Sequence, residues 1–68
     1  MIKVYVSRVL DSKTIELFNF LDDKDIPYEI KEANTEWVFL NKIKSLPVVE
    51  ADGEILSMKK IMKRLKKR

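Results

Sequence analysis

The chain of 68 residues contains no cysteine and no histidine. It can therefore form no disulfide bond, and it lacks the thiolate and imidazole groups that usually bind zinc. It also has only one glycine and two prolines, so few residues interrupt regular secondary structure. We expect one small domain, residues 1–68, that folds without disulfides, metal or any other cofactor.

Long apolar runs are absent as well. The first ten residues carry Lys3 and Arg8 between short apolar patches, which is too broken a pattern for a signal peptide. No apolar run approaches the roughly 20 residues that a membrane-spanning helix needs. The sequence therefore predicts a cytoplasmic location and no membrane partner.

Acidic residues are missing from the C-terminal end, where the cations are Lys59, Lys60, Lys63, Arg64, Lys66, Lys67 and Arg68. Residues 1–57 therefore hold the other seven of the 14 basic residues and all 11 acidic ones, a net charge of −4. A basic segment on an acidic body is typical of nucleic-acid binding. A solvated helix face, whose cations complement the helix dipole, explains the same residues. Both interpretations remain open here.

The first half of the chain predicts a strand and a helix. In residues 2–6 every second residue is apolar, and Tyr5 adds an apolar group to the other face. A segment with apolar groups on both faces predicts a strand inside a sheet. A helix capped by Asp11 or Ser12 should then run to about Asp23. Its apolar stripe consists of Ile15, Leu17, Phe18 and Leu21.

A second strand and a second helix are predicted next. Residues 26–30 alternate apolar with polar positions, and Pro27 places this strand's start or the whole strand at the rim of a sheet. Asn34 or Thr35 should cap a short helix over residues 36–42. We expect four of its apolar residues to face the core, namely Trp37, Val38, Leu40 and Ile43.

The C-terminal third predicts a hairpin and a last helix. Residues 46–50 and 54–56 are short apolar runs separated by a turn that contains the only glycine. Ser57 can cap the following helix, whose apolar residues recur with clear helical spacing at Met58, Ile61, Met62 and Leu65.

The predicted order is therefore β-α-β-α-β-β-α. The first strand–helix–strand unit implies a parallel pair with a right-handed crossover, and the hairpin adds an antiparallel pair. We therefore predict an α/β protein with a four-stranded mixed sheet and helices on both faces.

This order, with a proline opening the third strand, resembles the thioredoxin fold and in particular the small glutaredoxins. The matching segments are Lys3–Val6, Asp25–Glu29, Leu46–Val49 and Asp52–Glu54. The resemblance implies a cis peptide bond between Leu46 and Pro47. It also implies that the edge beside this bond binds glutathione or a protein substrate.

The sequence departs from that family at the reactive element. The family's Cys-x-x-Cys or Cys-x-x-Ser motif falls on residues 10–13 or 11–14, and neither frame contains sulfur. Thiol–disulfide exchange needs an attacking thiolate, so the resemblance implies a redox-inactive protein that is not an enzyme. The glycine pair that helps to seat glutathione is replaced by Leu56–Met58, so glutathione is an unexpected ligand; residual glutathione binding is kept as an alternative.

We therefore expect a non-catalytic glutaredoxin-like domain that binds a protein partner, for instance as an inhibitor or decoy of the kind that phages or accessory systems use. The candidate surface consists of Arg8, Asp11, Ser12, Lys13, Thr14, Leu46 and Pro47. Simpler roles compete with this one, because residues 11–14 can merely cap a helix and the proline can merely shape a turn.

Overall fold

The computed structural model describes residues 2–66, and its elements follow the predicted order. They are β1 Ile2–Val6, α1 Ser12–Asp23, β2 Tyr28–Glu32, α2 Thr35–Leu40, β3 Val48–Ala51, β4 Glu54–Ser57 and α3 Met58–Lys66. The strands form one sheet in the order β2-β1-β3-β4. The β1–β2 pair is parallel and the other two pairs are antiparallel. The predicted α/β class and four-stranded mixed sheet are confirmed.

One face of the sheet carries the hydrophobic core. Val4 lies opposite Ile30 on one side and Val49 on the other, and Val49 lies opposite Leu56, so one apolar row crosses all four strands. Helices α1 and α3 cover the Val4, Val49 and Leu56 part of this row with Leu17, Leu21, Ile61 and Leu65, all of which are buried, whereas Ile30 on the edge strand is 57% exposed. The interior position predicted for β1 is therefore confirmed.

The opposite face is covered by α2 through one aromatic contact. Tyr5 points away from the core because side chains alternate along a strand. The ring of Trp37 stacks on it with a centroid distance of 4.1 Å. Helices therefore lie on both faces, although α2 buries no residue completely.

The end of α2 differs from the predicted boundary, whereas α1 ends at Asp23 as predicted. After α1, Asp25 adopts a left-handed conformation with φ 55°, and the Ile26 amide donates to the Leu21 carbonyl at 3.0 Å. After α2, Lys42 also adopts a left-handed conformation, with φ 54°. The Ile43 amide donates to the Val38 carbonyl at 3.0 Å. This Schellman pattern ends both helices without glycine. It shortens α2 and occupies the amide of residue 26, so β2 starts only after Pro27.

The burial predicted for two residues, Leu40 and Ile15, is also wrong. Leu40 is 68% exposed and Ile15 is 49% exposed, whereas Thr14, which was predicted at the surface, is only 2% exposed. Leu40 is the last residue of α2, which ends two residues earlier than predicted and has no buried residue. Ile15 faces an open groove between α1 and α3, which leaves half of its surface exposed.

The caps and the hairpin agree with prediction. Asn34 and Ser57 accept hydrogen bonds from first-turn amides of α2 and α3, at 2.8 and 3.2 Å respectively. The β3–β4 turn places Asp52 and Gly53 at φ 53° and 77°. Only glycine adopts such an angle without steric cost, which explains why the only glycine of the sequence stands here.

Candidate functional site

The N-terminal tip of α1 forms one side of the candidate site. Asp11 is the N-cap, and its Oδ1 accepts a hydrogen bond of 2.9 Å from the Thr14 amide. This hydrogen bond from Thr14 is the main reason why the pKa of Asp11 is lowered. The tip therefore keeps its own carboxylate, which satisfies a free amide and disfavours a second anion at the same place.

The loop before the helix presents two apolar side chains. The Ser7 hydroxyl donates to the Val9 carbonyl at 2.6 Å, which holds the loop in a tight bend. Val9 is 78% exposed and Leu10 is 52% exposed. Adjacent apolar residues with this exposure at a loop tip are a feature of contact surfaces.

The segment before β3 forms the other side of the site. The Leu46–Pro47 peptide bond is cis; Pro47 is buried and Leu46 is half-buried. A depression of about 380 Å³ lies on one side of this segment, between α1 and the start of α3. A second one of about 350 Å³ lies toward α2. Leu46 lines both, so it forms the ridge between them.

The two depressions differ in their charged side chains. Lys13, Lys59 and Glu16 line the larger one, whose apolar wall includes Met58 and Met62. The smaller one has Asp11 and Lys44 beside Val38 and Ile43. The larger depression therefore carries one excess positive charge, and the smaller one carries none.

The structure brings together only part of the predicted surface. Asp11 and Lys13 lie beside Leu46 and Pro47, as expected of a helix tip that faces this edge. Ser12 instead lines a groove farther along α1.

Arg8 and Thr14 are placed differently. Arg8 forms an ion pair of 3.2 Å with Glu32 at the rim of the sheet, and its side chain is 89% exposed. Thr14 lies beneath the surface with its amide bonded to Asp11, so its side chain offers no contact to a partner.

Sequence reasoning missed four contributors to this surface. Glu16 and Lys59 line the larger depression, and Val9 and Leu10 project from the loop. The two loop residues were detectable as an apolar pair between a strand and a helix cap. Glu16 was detectable as the residue one helical turn after Lys13. Lys59 was not, because only the packing of α3 beside α1 brings it to the proline.

The basic helix shows both faces that its spacing predicts. Ile61 and Leu65 are buried, while the described cations Lys59, Lys60, Lys63, Arg64 and Lys66 are exposed. Arg64 forms an ion pair of 3.4 Å with Glu54. The predicted contributors Lys67 and Arg68 lie outside the described residues.

Residues 2–66 contain neither a cluster of metal ligands nor a helix that could span a membrane. Between residues 2 and 66, no three or more acidic side chains cluster in a way that could hold a metal ion. In that range no helix has the length and apolarity to span a membrane.

Comparison with known proteins places the fold. No protein-family model and no curated protein matches the sequence. Among solved structures, an epsilon-class glutathione S-transferase from the housefly Musca domestica has 20% identity and a TM-score of 0.77, with 98% of this chain and 34% of that chain covered. Glutathione transferase F7 from Populus trichocarpa has 16% identity and a TM-score of 0.76, with coverages of 98% and 35%.

A third solved structure, a diazinon-metabolizing glutathione S-transferase from the silkworm Bombyx mori, has 17% identity and a TM-score of 0.77. It covers all of this chain, which spans 37% of its length. This chain therefore has the thioredoxin-like fold of about a third of each of these transferases. At such identities the likeness establishes the fold, and the chemistry has to be argued from the residues.

Proposed function

We propose that this thioredoxin-fold chain is a redox-inactive domain that binds a protein partner at the edge around Pro47. The observation that carries the proposal is the pairing of a cysteine-free helix tip with an accessible edge. A protein without a thiolate cannot attack a disulfide. The cis peptide bond before Pro47 and the depressions on either side of it lie next to this helix tip and support a role in binding.

The proposed surface contains Val9, Leu10, Asp11, Lys13, Leu46 and Pro47, which we call the Pro47 surface. Two exposed apolar side chains stand on one side of it, and a half-buried leucine ridge separates two depressions on the other. Depressions of this size accept single apolar side chains, which are the usual anchors of protein interfaces. The excess cation in the larger depression favours an anchor with an acidic neighbour.

An inhibitor or decoy role is consistent with these features. A protein that keeps a redox enzyme's edge but lacks its thiol can occupy that enzyme's partner without turning it over. Because the sequence contains no histidine, no imidazole can activate one of its hydroxyl groups, and binding is the simplest activity that its residues support.

A matched pair of variants tests the proposal. Leu10→Asp and Leu40→Asp make the same change at exposed leucines, but only Leu10 lies on the Pro47 surface. With each variant and the parent as bait, quantitative mass spectrometry should find one partner captured by the parent and by L40D but at least tenfold less by L10D. A second pair, Lys13→Glu and Lys42→Glu, repeats the comparison with charge. The same partners captured equally by all five proteins would contradict the proposal.

A second candidate is residual glutathione binding. One matched solved structure, human glutathione transferase theta-2, is a complex with glutathione. The larger depression contains Lys13 and Lys59 together with the hydroxyl-bearing Ser45 and Ser57, which suit carboxylates. Asp11 and Glu16 oppose an anionic ligand. Titration with reduced glutathione, followed by amide NMR shifts, decides between the two: saturable shifts around Pro47 at millimolar ligand favour this candidate, and their absence removes it.

A further inference from the structure

Helices α1 and α3 leave an open groove between them on the side away from the sheet. It has a volume of about 470 Å³, and its apolar lining comes from Ile15, Phe20 and Met62. Ile15 is 49% exposed, and the other two are half-buried. Glu16 and Met62 also line the larger depression beside Pro47, so the groove continues along both helices. We call this the α1–α3 groove.

The two walls of the groove carry opposite charge. Along α3, Lys59, Lys63 and Lys66 recur at helical spacing and form one row on its surface. None of the three has an ion-pair partner among residues 2–66. Along α1, Glu16 and Asp23 line the groove, and Lys13 lies only at its end beside Pro47. The groove therefore favours a ligand with negative charge on the side that faces α3 and with neutral or positive groups on the side that faces α1.

The shape of the groove favours a helix. Its two walls are helices whose backbone groups bond within their own turns, so they offer no sheet edge to a bound chain. An extended segment would leave its own amides and carbonyls unpaired there, whereas a helix satisfies them internally. The nine residues of α3 are about 13 Å long, which corresponds to two or three turns of a docked helix.

We propose that the α1–α3 groove is the docking site for an amphipathic helix of a partner protein, with an acidic flank facing Lys59, Lys63 and Lys66. The groove meets the Pro47 surface at the larger depression, which Glu16, Lys59 and Met62 line, but the proposal does not require the function proposed above. The excess of cations disfavours a second copy of this chain, which would bring the same excess. The acidic wall of α1 disfavours a membrane or a nucleic acid, which presents negative charge to both walls.

Designed peptides test the proposal on the intact chain. The probe is a peptide of about four helical turns with a leucine stripe, glutamates on one flank and lysines on the other. The first control peptide carries lysines on both flanks. The second keeps the composition of the probe but has two central prolines that prevent a helix. We expect the probe to shift the methyl NMR signals of Ile15 and Met62 and to bind at least about tenfold more tightly than either control.

Protein variants locate the contact. K59E/K66E reverses both lysines that line the groove, and K42E/K60E makes the same charge change at lysines outside it. We expect the first to weaken binding of the probe by about tenfold and to strengthen binding of the all-lysine peptide. The second should leave the probe's binding unchanged.

Three results would overturn the proposal. The first is that the methyl signals of Ile15 and Met62 do not shift at millimolar concentrations of the probe peptide, or that the probe and the control peptides bind equally tightly. The second is a shift of the Met62 signal with protein concentration alone, which would assign the groove to a second copy. The third is a stronger shift of the same signal with anionic than with neutral lipid vesicles, which would assign it to a membrane.

Discussion

Replacing Tyr5 with valine should loosen α2 from the sheet. The ring of Tyr5 stacks on Trp37 with an interplanar angle of 14°, and its hydroxyl donates to Glu50 at 3.2 Å. The stack contributes about 0.5–1.5 kcal/mol beyond the buried area, and the hydrogen bond contributes a similar amount. Valine keeps the β-branched character that a strand favours but removes both contacts.

The expected loss is therefore about 1–3 kcal/mol of unfolding free energy. This is a large share of the roughly 3–5 kcal/mol that a domain of this size retains. The melting temperature should fall by about 5–20 °C. Urea unfolding measures the free energy, and the fluorescence of Trp37, the only tryptophan, reports the local effect because its emission should shift to the red once the tyrosine ring is gone.

Tyr5→Phe is the control, since it keeps the stack and removes only the hydroxyl. It should cost about 0.5–1.5 kcal/mol and leave the emission unchanged. Tyr5→Phe also tests how the stability of the protein changes at alkaline pH. Burial, assisted by Glu50, raises the pKa of Tyr5 above 10.0, so its stabilising contribution is present below that pH and is lost as the pH rises through the raised value. An unshifted emission and an unchanged urea midpoint in Tyr5→Val would refute the idea that this stack holds α2.

Four further changes test the fold and the helix tip. Leu17→Ala, at a position with no exposed surface, should cost about 2–5 kcal/mol, whereas Leu40→Ala, at 68% exposure, should change the urea midpoint little. Equal midpoints would show that the burial is misassigned. Gly53→Ala, at φ 77°, should cost about 1–2 kcal/mol by calorimetry. Because the pKa of Asp11 lies below 3.8, its contribution is lost only as the pH falls through that lowered value. Asp11→Asn should weaken this acid dependence, and parallel profiles of stability against pH would contradict the assignment.

Much of the fold could be predicted because the strongest patterns are local. The spacing of α3's apolar residues and the caps Asn34 and Ser57 need only neighbours in sequence, and all are confirmed. The end of α2 and the start of β2 were less accurate because Lys42 and Asp25 adopt conformations that are usually left to glycine. No feature of residue type identifies such positions.

The candidate site could be predicted only in part. The proline and the helix cap are visible in the sequence, and the structure places them side by side. Their surroundings depend on α3, which begins 35 positions after the end of α1. No local pattern indicates that Lys59 lies near Lys13, or that Arg8 is engaged by Glu32 at the sheet's rim.

The sequence by itself determined the order of strands and helices, most of the residues of the buried stripes and the absence of cysteine. Each of these follows from residue type and short-range spacing. Only the tertiary structure decided which side chains meet at Pro47, which apolar residues stay exposed and how α1 and α3 form a groove with oppositely charged walls. Those properties arise when elements distant in sequence pack on one sheet, because the core selects which face of each helix turns inward and thereby which face remains for a partner.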